Sequence, residues 1–193
     1  SDILQIFINL SEKDGLVDVE KVTDYIIDII FAAIHTTSQT ITNVLYEYGA
    51  RPEYWKELLE ENERISCEVK DGYLTRQDVK KMIKLDSFIR ETLRIWQPIV
   101  GIEHKTLNDS FTFSNAEIHG TDQNANIFDG FQHIEKNTQA TKTGREYVPF
   151  GLGRHACPGR FFALHLIKIT MYLLIQKYKI VTEGRNIIRP NYA

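Results

Sequence analysis

Cysteine is scarce in this chain: Cys67 and Cys157 are the only two in 193 residues. Two thiols cannot build the disulfide framework of a small secreted domain, and their scarcity suits a reducing compartment. An excess of charge is lacking too. Lys and Arg number 23 against 26 Asp and Glu, and a net charge of −3 makes no case for nucleic acid as a partner. No apolar run reaches the roughly 20 residues that span a bilayer, and the start lacks a signal-peptide pattern. The chain itself is therefore expected to carry no membrane anchor. Internal repeats and low-complexity tracts are also missing. Asn9-Leu10-Ser11 and Asn108-Asp109-Ser110 match the glycosylation pattern, an accident if the chain faces the cytosol. What remains is an ordinary globular composition, 42% hydrophobic and 25% charged, long enough for one domain with a sizeable core.

Helical patterns dominate. Residues 1–10 read as the apolar end of a helix, followed by a polar turn at Asp14-Gly15. Asp18 is a good N-cap, and residues 18–48 read as one long helix, free of Gly and Pro from Val19 to Tyr48. Apolar residues cover most of its circumference between Tyr25 and Ile34, which predicts a buried middle. Gly49 is the expected stop. Within the helix, Thr36, Thr37 and Ser38 are poor helix formers whose hydroxyls can bond back to carbonyls a turn earlier. A satisfied polar ring between packed helices is the plain reading of that stretch. Pro52 opens a second helix with an acidic, solvated outer face. Asp71-Gly72 marks a turn, and Thr75-Arg76-Gln77-Asp78 is a capping-box variant that opens a helix over 76–97. There Glu91 and Arg94 share a face, and an exposed pair of this kind contributes only about 0.2–0.5 kcal/mol. Residues 98–108 and 111–113 read as extended. Ile99, Val100 and Ile102 fit a pocket wall or a plain strand core equally well. The text from Gly120 onward has loop composition. Near the end, 178–181 is strand-like.

The chemistry concentrates at 150–159, F-G-L-G-R-H-A-C-P-G, ahead of an apolar run with helical pattern reaching about residue 178. Pro158 suits the first turn of that helix, which places Cys157 just outside its N-terminus, where unpaired N–H groups favour a thiolate. Gly151, Gly153 and Gly159 let the backbone approach a flat ligand. Such a thiolate can serve as a nucleophile, with His155 or His165 as the base. A zinc site would need further Cys or His at ligand spacing, and no convincing set is present. A third use is as the single thiolate ligand of haem iron. Cys67, in a polar run, reads as a bystander.

With Phe150, Gly153, Cys157 and Gly159 in register, the loop resembles the haem-binding loop of the cytochrome P-450 superfamily. The resemblance implies a mainly α fold with short β elements, the C-terminal haem-binding half of that family's fold, as a single incomplete domain over 1–193. It implies Cys157 as the iron ligand, with Phe150, Gly151, Gly153 and Gly159 around haem b. His155 stands where a basic residue usually reaches a propionate, and His104 is the nearest match to a second such residue. The A-A-I-H-T-T-S stretch looks like the family's oxygen-binding motif: Thr36 matches the threonine that guides protons, Ala33 replaces a glycine and His35 replaces the acid. Glu91 and Arg94 resemble the family's buried E-x-x-R pair. Phe128-Asp129-Gly130-Phe131 resembles its aromatic meander, with Gln132 in place of an arginine and an intervening strand missing.

The resemblance further implies a monooxygenase that inserts one atom of O2 into a small apolar organic molecule, with a style similar to fungal relatives of secondary metabolism. Electrons would come from NADPH through a partner reductase, at the endoplasmic reticulum membrane on its cytosolic face for the full-length family. The alternative expectation is a truncated, non-catalytic remnant that binds haem weakly or not at all, on the grounds of the missing strand, Gln132 and the absence of the family's upstream half. A helical interaction module explains neither the setting of Cys157 nor the order of the motifs.

Overall fold

The computed structural model describes residues 2–13, 15–69, 72–96, 127–144 and 147–183. The described residues are mainly α with one two-stranded sheet, in line with the expected mainly α fold with short β elements. The chain forms two compact units, Ser1–Gln39 and Thr40–Ala193, and the boundary falls within the long helix.

In the first unit, helix α1 (Ile3–Ser11) is capped by Asp2, whose carboxylate accepts from the Gln5 N–H at 2.9 Å. The expected turn is a minimal antiparallel hairpin, β1 (Glu12–Lys13) with β2 (Leu16–Val17), and Gly15 supplies a φ of +78°. Asp18 then caps helix α2 (Val19–Ala50) through the Lys21 N–H at 3.0 Å. The predicted burial of its middle is not found: Ile27, Ile30, Phe31 and Ile34 are between 52% and 77% exposed. A continuous apolar circumference shows that a helix can be covered, not that it is.

Gly49 does not end α2, which runs on to Ala50. Pro52 sets the stop by disfavouring helical backbone at Arg51, found at φ −122°, ψ 77°. Gly49 instead permits close approach. A Cβ there would stand 3.2 Å from Thr182 Cγ2 and 3.3 Å from Thr182 N.

A 3-10 turn (Pro52–Tyr54) leads into α3 (Trp55–Glu68), and Thr75 opens α4 (Arg76–Lys80) with a complete capping box. The helix expected over 76–97 is two helices, because Lys81 and Met82 separate α4 from α5 (Ile83–Ile95). The reason lies on α3. Buried Glu61, on the helix expected to be solvated, accepts from the Lys84 N–H at 2.8 Å and the Leu85 N–H at 3.0 Å. A carboxylate from another helix thus satisfies the free donors of a new N-terminus. After α6 (Gln132–Glu135) and the cysteine loop, α7 (Arg160–Lys177) packs Leu164, Ile167 and Met171 into a core shared with Leu58, Phe88 and Ile89. Residues 178–181 form no strand; instead the Thr182 N–H reaches the Gly49 carbonyl at 3.4 Å. The extended segments 98–108 and 111–113, with His104, lie outside the described residues.

Candidate functional site

The cysteine loop is held by its own backbone. The Gly151 N–H turns back to the Val148 carbonyl at 2.8 Å, a 3-10 turn spans Gly153–His155, and the Cys157 N–H closes on the Phe150 carbonyl at 2.7 Å. Glycine is needed at 151 twice over, because φ is +71° and a Cβ would meet the His155 carbonyl oxygen at 3.2 Å. Gly153, at φ +60°, has open space where a Cβ would be. Phe150 is half-buried against the core, while Leu152 and the free thiol of Cys157 are exposed. Pro158 does not start the helix as the sequence suggests. Pro158 and Gly159 form a turn, Gly159 accepts from the Ala163 N–H at 2.9 Å, and α7 begins at Arg160. Arg160 Nη1 donates to the Cys157 carbonyl at 2.7 Å, which pins the cysteine to the start of α7.

Two of the alternatives lose support. Among the described residues no hydrogen bond joins Cys157 to His155 or His165. Burial, with Arg76 and Lys168 nearby, pushes the His165 imidazole below its ordinary value. Among the described residues no group of three His, Cys, Asp or Glu side chains could hold a metal ion. A single exposed thiol on a hydrogen-bonded loop, with Cβ-free backbone beside it, fits a group that would take one thiolate ligand, as haem iron does.

Ala33, His35 and Thr36 belong to the first unit. Ala33 and Thr36 are half-buried and His35 is exposed. The Thr36 hydroxyl donates to the Ala32 carbonyl at 2.6 Å, and the Ser38 hydroxyl to the Ile34 carbonyl at 2.8 Å, as their positions in a helix imply.

Glu91 and Arg94 are brought together, and not at the surface. Glu91 is fully buried. Arg94 grips its carboxylate with two bonds of 2.8 Å, from Nε and Nη2, and Nη2 also donates to the Ile127 carbonyl at 2.9 Å. The Asp129 N–H adds a bond at 3.0 Å. A second side chain at this carboxylate is His133, with Nε2 3.4 Å from Glu91 Oε2. Gln132, which stands in place of the family's arginine, is not among the described partners of this carboxylate; its neighbour in the chain, His133, is. Burial works to raise the Glu91 pKa, but the bonds from Arg94, His133 and Asp129 win and bring it down to about 2.

Sequence reasoning also missed Glu47. It is fully buried near the end of α2 and bonded by Arg51 Nη1 and Trp96 Nε1. The four-residue step from Glu47 to Arg51 was the available signal. The aromatic meander is a real cluster: Tyr54 meets Phe88, Phe128 and Phe131 edge-on, with centroids 4.9–5.9 Å apart, and its hydroxyl accepts from the Gly130 N–H at 3.1 Å.

Known proteins are similar to this chain. Cytochrome P450 monooxygenase ORF5 of Penicillium roqueforti is 34% identical over 185 residues, covering 83% of this chain and 34% of that protein. Cytochrome P450 monooxygenase ltmQ of Epichloe festucae var. lolii is 31% identical over 194 residues, covering 86% and 35%. For cytochrome P450 monooxygenase sirB of Leptosphaeria maculans the identity is 33% over 207 residues, covering 86% and 39%. The chain therefore spans about a third of the length of these relatives. The family profile described as Cytochrome P450 matches residues 1–119 and 123–192. With that match running through the cysteine loop, the buried Glu91–Arg94 pair and the threonines of α2, the chain belongs to the cytochrome P450 family.

Proposed function

We propose that this chain contributes the thiolate side of a haem monooxygenase, with Cys157 as the iron ligand. The observation that carries this reading is the exposed thiol of Cys157, fixed by the 2.7 Å bond from its own N–H to the Phe150 carbonyl. Haem so held would supply redox chemistry in which thiolate electron density favours O–O cleavage. The remaining roles fall to the chain's own groups. Gly151, Gly153 and Gly159 leave bare backbone at three positions of the loop, Phe150 anchors it to the core, and His155 offers an imidazole N–H to a carboxylate of the cofactor. Arg160 keeps the carbonyl of Cys157 occupied, so the ligand residue does not swing. Thr36 Oγ1, which now donates its proton to the Ala32 carbonyl, is the group proposed to hand a proton toward the reacting oxygen, with exposed His35 beside it as the source. Ala33 leaves room beside them. Glu91 and Arg94 brace α5 against the segment starting at Ile127 and touch no reacting atom.

The proposed substrate is a small apolar organic molecule, of the kind met in fungal secondary metabolism. Electrons would come from NADPH through a reductase, in the family's setting at the endoplasmic reticulum. No described helix is long and apolar enough to cross a membrane.

The test is spectroscopic. The chain supplied with haem, reduced and exposed to carbon monoxide should show the red-shifted Soret band of a thiolate-ligated iron. Cys157→Ala should lose that band, and its persistence in the variant would overturn the assignment. Failure of the unaltered chain to take up haem would favour the non-catalytic alternative. With reductase and substrate present, Thr36→Ala should raise oxygen consumption relative to product formed.

A further inference from the structure

A cavity of about 420 Å³ opens between residues 137–143 and the first turn of α7. Two cations line it, Lys142 and Arg160, together with the hydroxyl-bearing Thr141 and Thr143 and the amides Asn137 and Gln139. No carboxylate is among the described residues that line it. The guanidinium of Arg160 is already positioned. Nη1 is committed to the Cys157 carbonyl, and the charge lies 4.3 Å from the centre of the Phe161 ring. Its Nε is buried and has no hydrogen-bond partner among the described residues. A buried N–H left unpaired is uncommon in folded proteins and calls for an acceptor.

The opposite wall is equally fixed. From α5, Arg90 Nη1 donates to the carbonyls of Gln139 at 2.8 Å and Lys142 at 3.1 Å. Asp86 accepts from the Ala140 N–H at 2.7 Å. Asn137, the only non-glycine residue at positive φ among the described residues, sits at +44° on the rim. A held backbone, two cations and several neutral donors line the cavity before any ligand arrives, and one of the two cations, Arg160, carries the unpaired N–H.

We propose that this cavity binds a small oxyanion, of the phosphate or carboxylate class, between Lys142 and Arg160. Because Arg160 also holds the Cys157 carbonyl, an anion there would stiffen the cysteine loop from outside. The cavity is solvent-open and Lys142 is exposed, so binding should be weak, in the range where effector concentration matters.

The experiment uses the full chain without haem, so its result is independent of the iron assignment. Inorganic phosphate is titrated at constant ionic strength against chloride, and the Arg160 Nε–H resonance is followed by NMR, assigned by its loss in Arg160→Lys. The expected result is a saturable shift with phosphate and none with chloride. Lys142→Ala should weaken binding by about tenfold, the order of one charge-assisted contact. The Lys142 side chain is exposed and its bond from Arg90 is to the backbone carbonyl, so this variant should fold; unchanged helical circular dichroism checks that it does. An identical, non-saturating response to both anions would overturn the proposal, as would an affinity unmoved by Lys142→Ala. Saturation by an oligoglutamate peptide but not by phosphate would overturn it in favour of a protein partner.

Discussion

Glu91 shows what one residue can carry. Its carboxylate is shut away from water yet charged, which is tolerable only because Arg94, His133 and the Asp129 N–H surround it. Its folded-state pKa of about 2 lies below the ordinary 4.5, so the folded chain binds fewer protons than the unfolded one across that interval. The resulting stability is present in full above pH 4.5 and is lost as pH falls through about 2. It amounts to about 3 kcal/mol. Urea midpoints followed by tryptophan fluorescence should drop through this window, and Glu91→Gln should flatten the dependence while lowering stability at pH 7. The pairing of Glu91 with Arg94 was legible, since three residues on a helix put two side chains on one face. Their burial was not, because it comes from chain 33–42 residues further on folding over α5.

At the scale of elements, caps written in adjacent residues were readable and caps borrowed from elsewhere were not. Thr75 and Asp78 satisfy one another's backbone within four residues. The Thr75 hydroxyl, ahead of Lys81, holds the Asp78 carboxyl down at about 2. Thr75→Ala should therefore raise the Asp78 pKa measured by NMR, and cost about 1 kcal/mol of stability in urea melts. The start of α5 is invisible to the same reasoning, because its cap is Glu61 of α3. Docking of the aromatic meander is equally non-local. A Cβ at Gly130 would lie 2.8 Å from Phe88 Cδ2 and 3.0 Å from Tyr54 Cε1. Phe88 is fully buried and cannot retreat, so Gly130→Ala should destabilise by about 1–3 kcal/mol, as overpacking does. A thermal melt would show it, and an unchanged midpoint would mean the meander is not packed this way.

At the scale of the molecule, stability is unevenly shared. Every member of the main apolar core belongs to the unit Thr40–Ala193, from Val44 to Ile175. In the other unit, the described buried residues are Ser11, Val22 and Thr37. Regions with few buried apolar groups open at low free energy. Amide hydrogens of α1 and of the part of α2 before Thr40 should therefore exchange with solvent well ahead of those in α5 and in α7 from Leu164 to Ile175. Uniform protection across α2, read by mass spectrometry, would contradict this.

What the sequence determined by itself is what neighbours in the chain can settle. The helical class follows from periodicity, the caps at Asp18 and Thr75 from residues three apart, and the tight cysteine loop from glycines within a few positions of Cys157. Tertiary structure decided whatever depends on a distant partner. Such features are the bare middle of α2, the break before α5, the place of Gly49 against Thr182, and the choice of His133 over Gln132 beside Glu91. The physical reason is range: backbone hydrogen bonding and side-chain pattern act within a turn or two, whereas burial is a property of everything that packs around a residue.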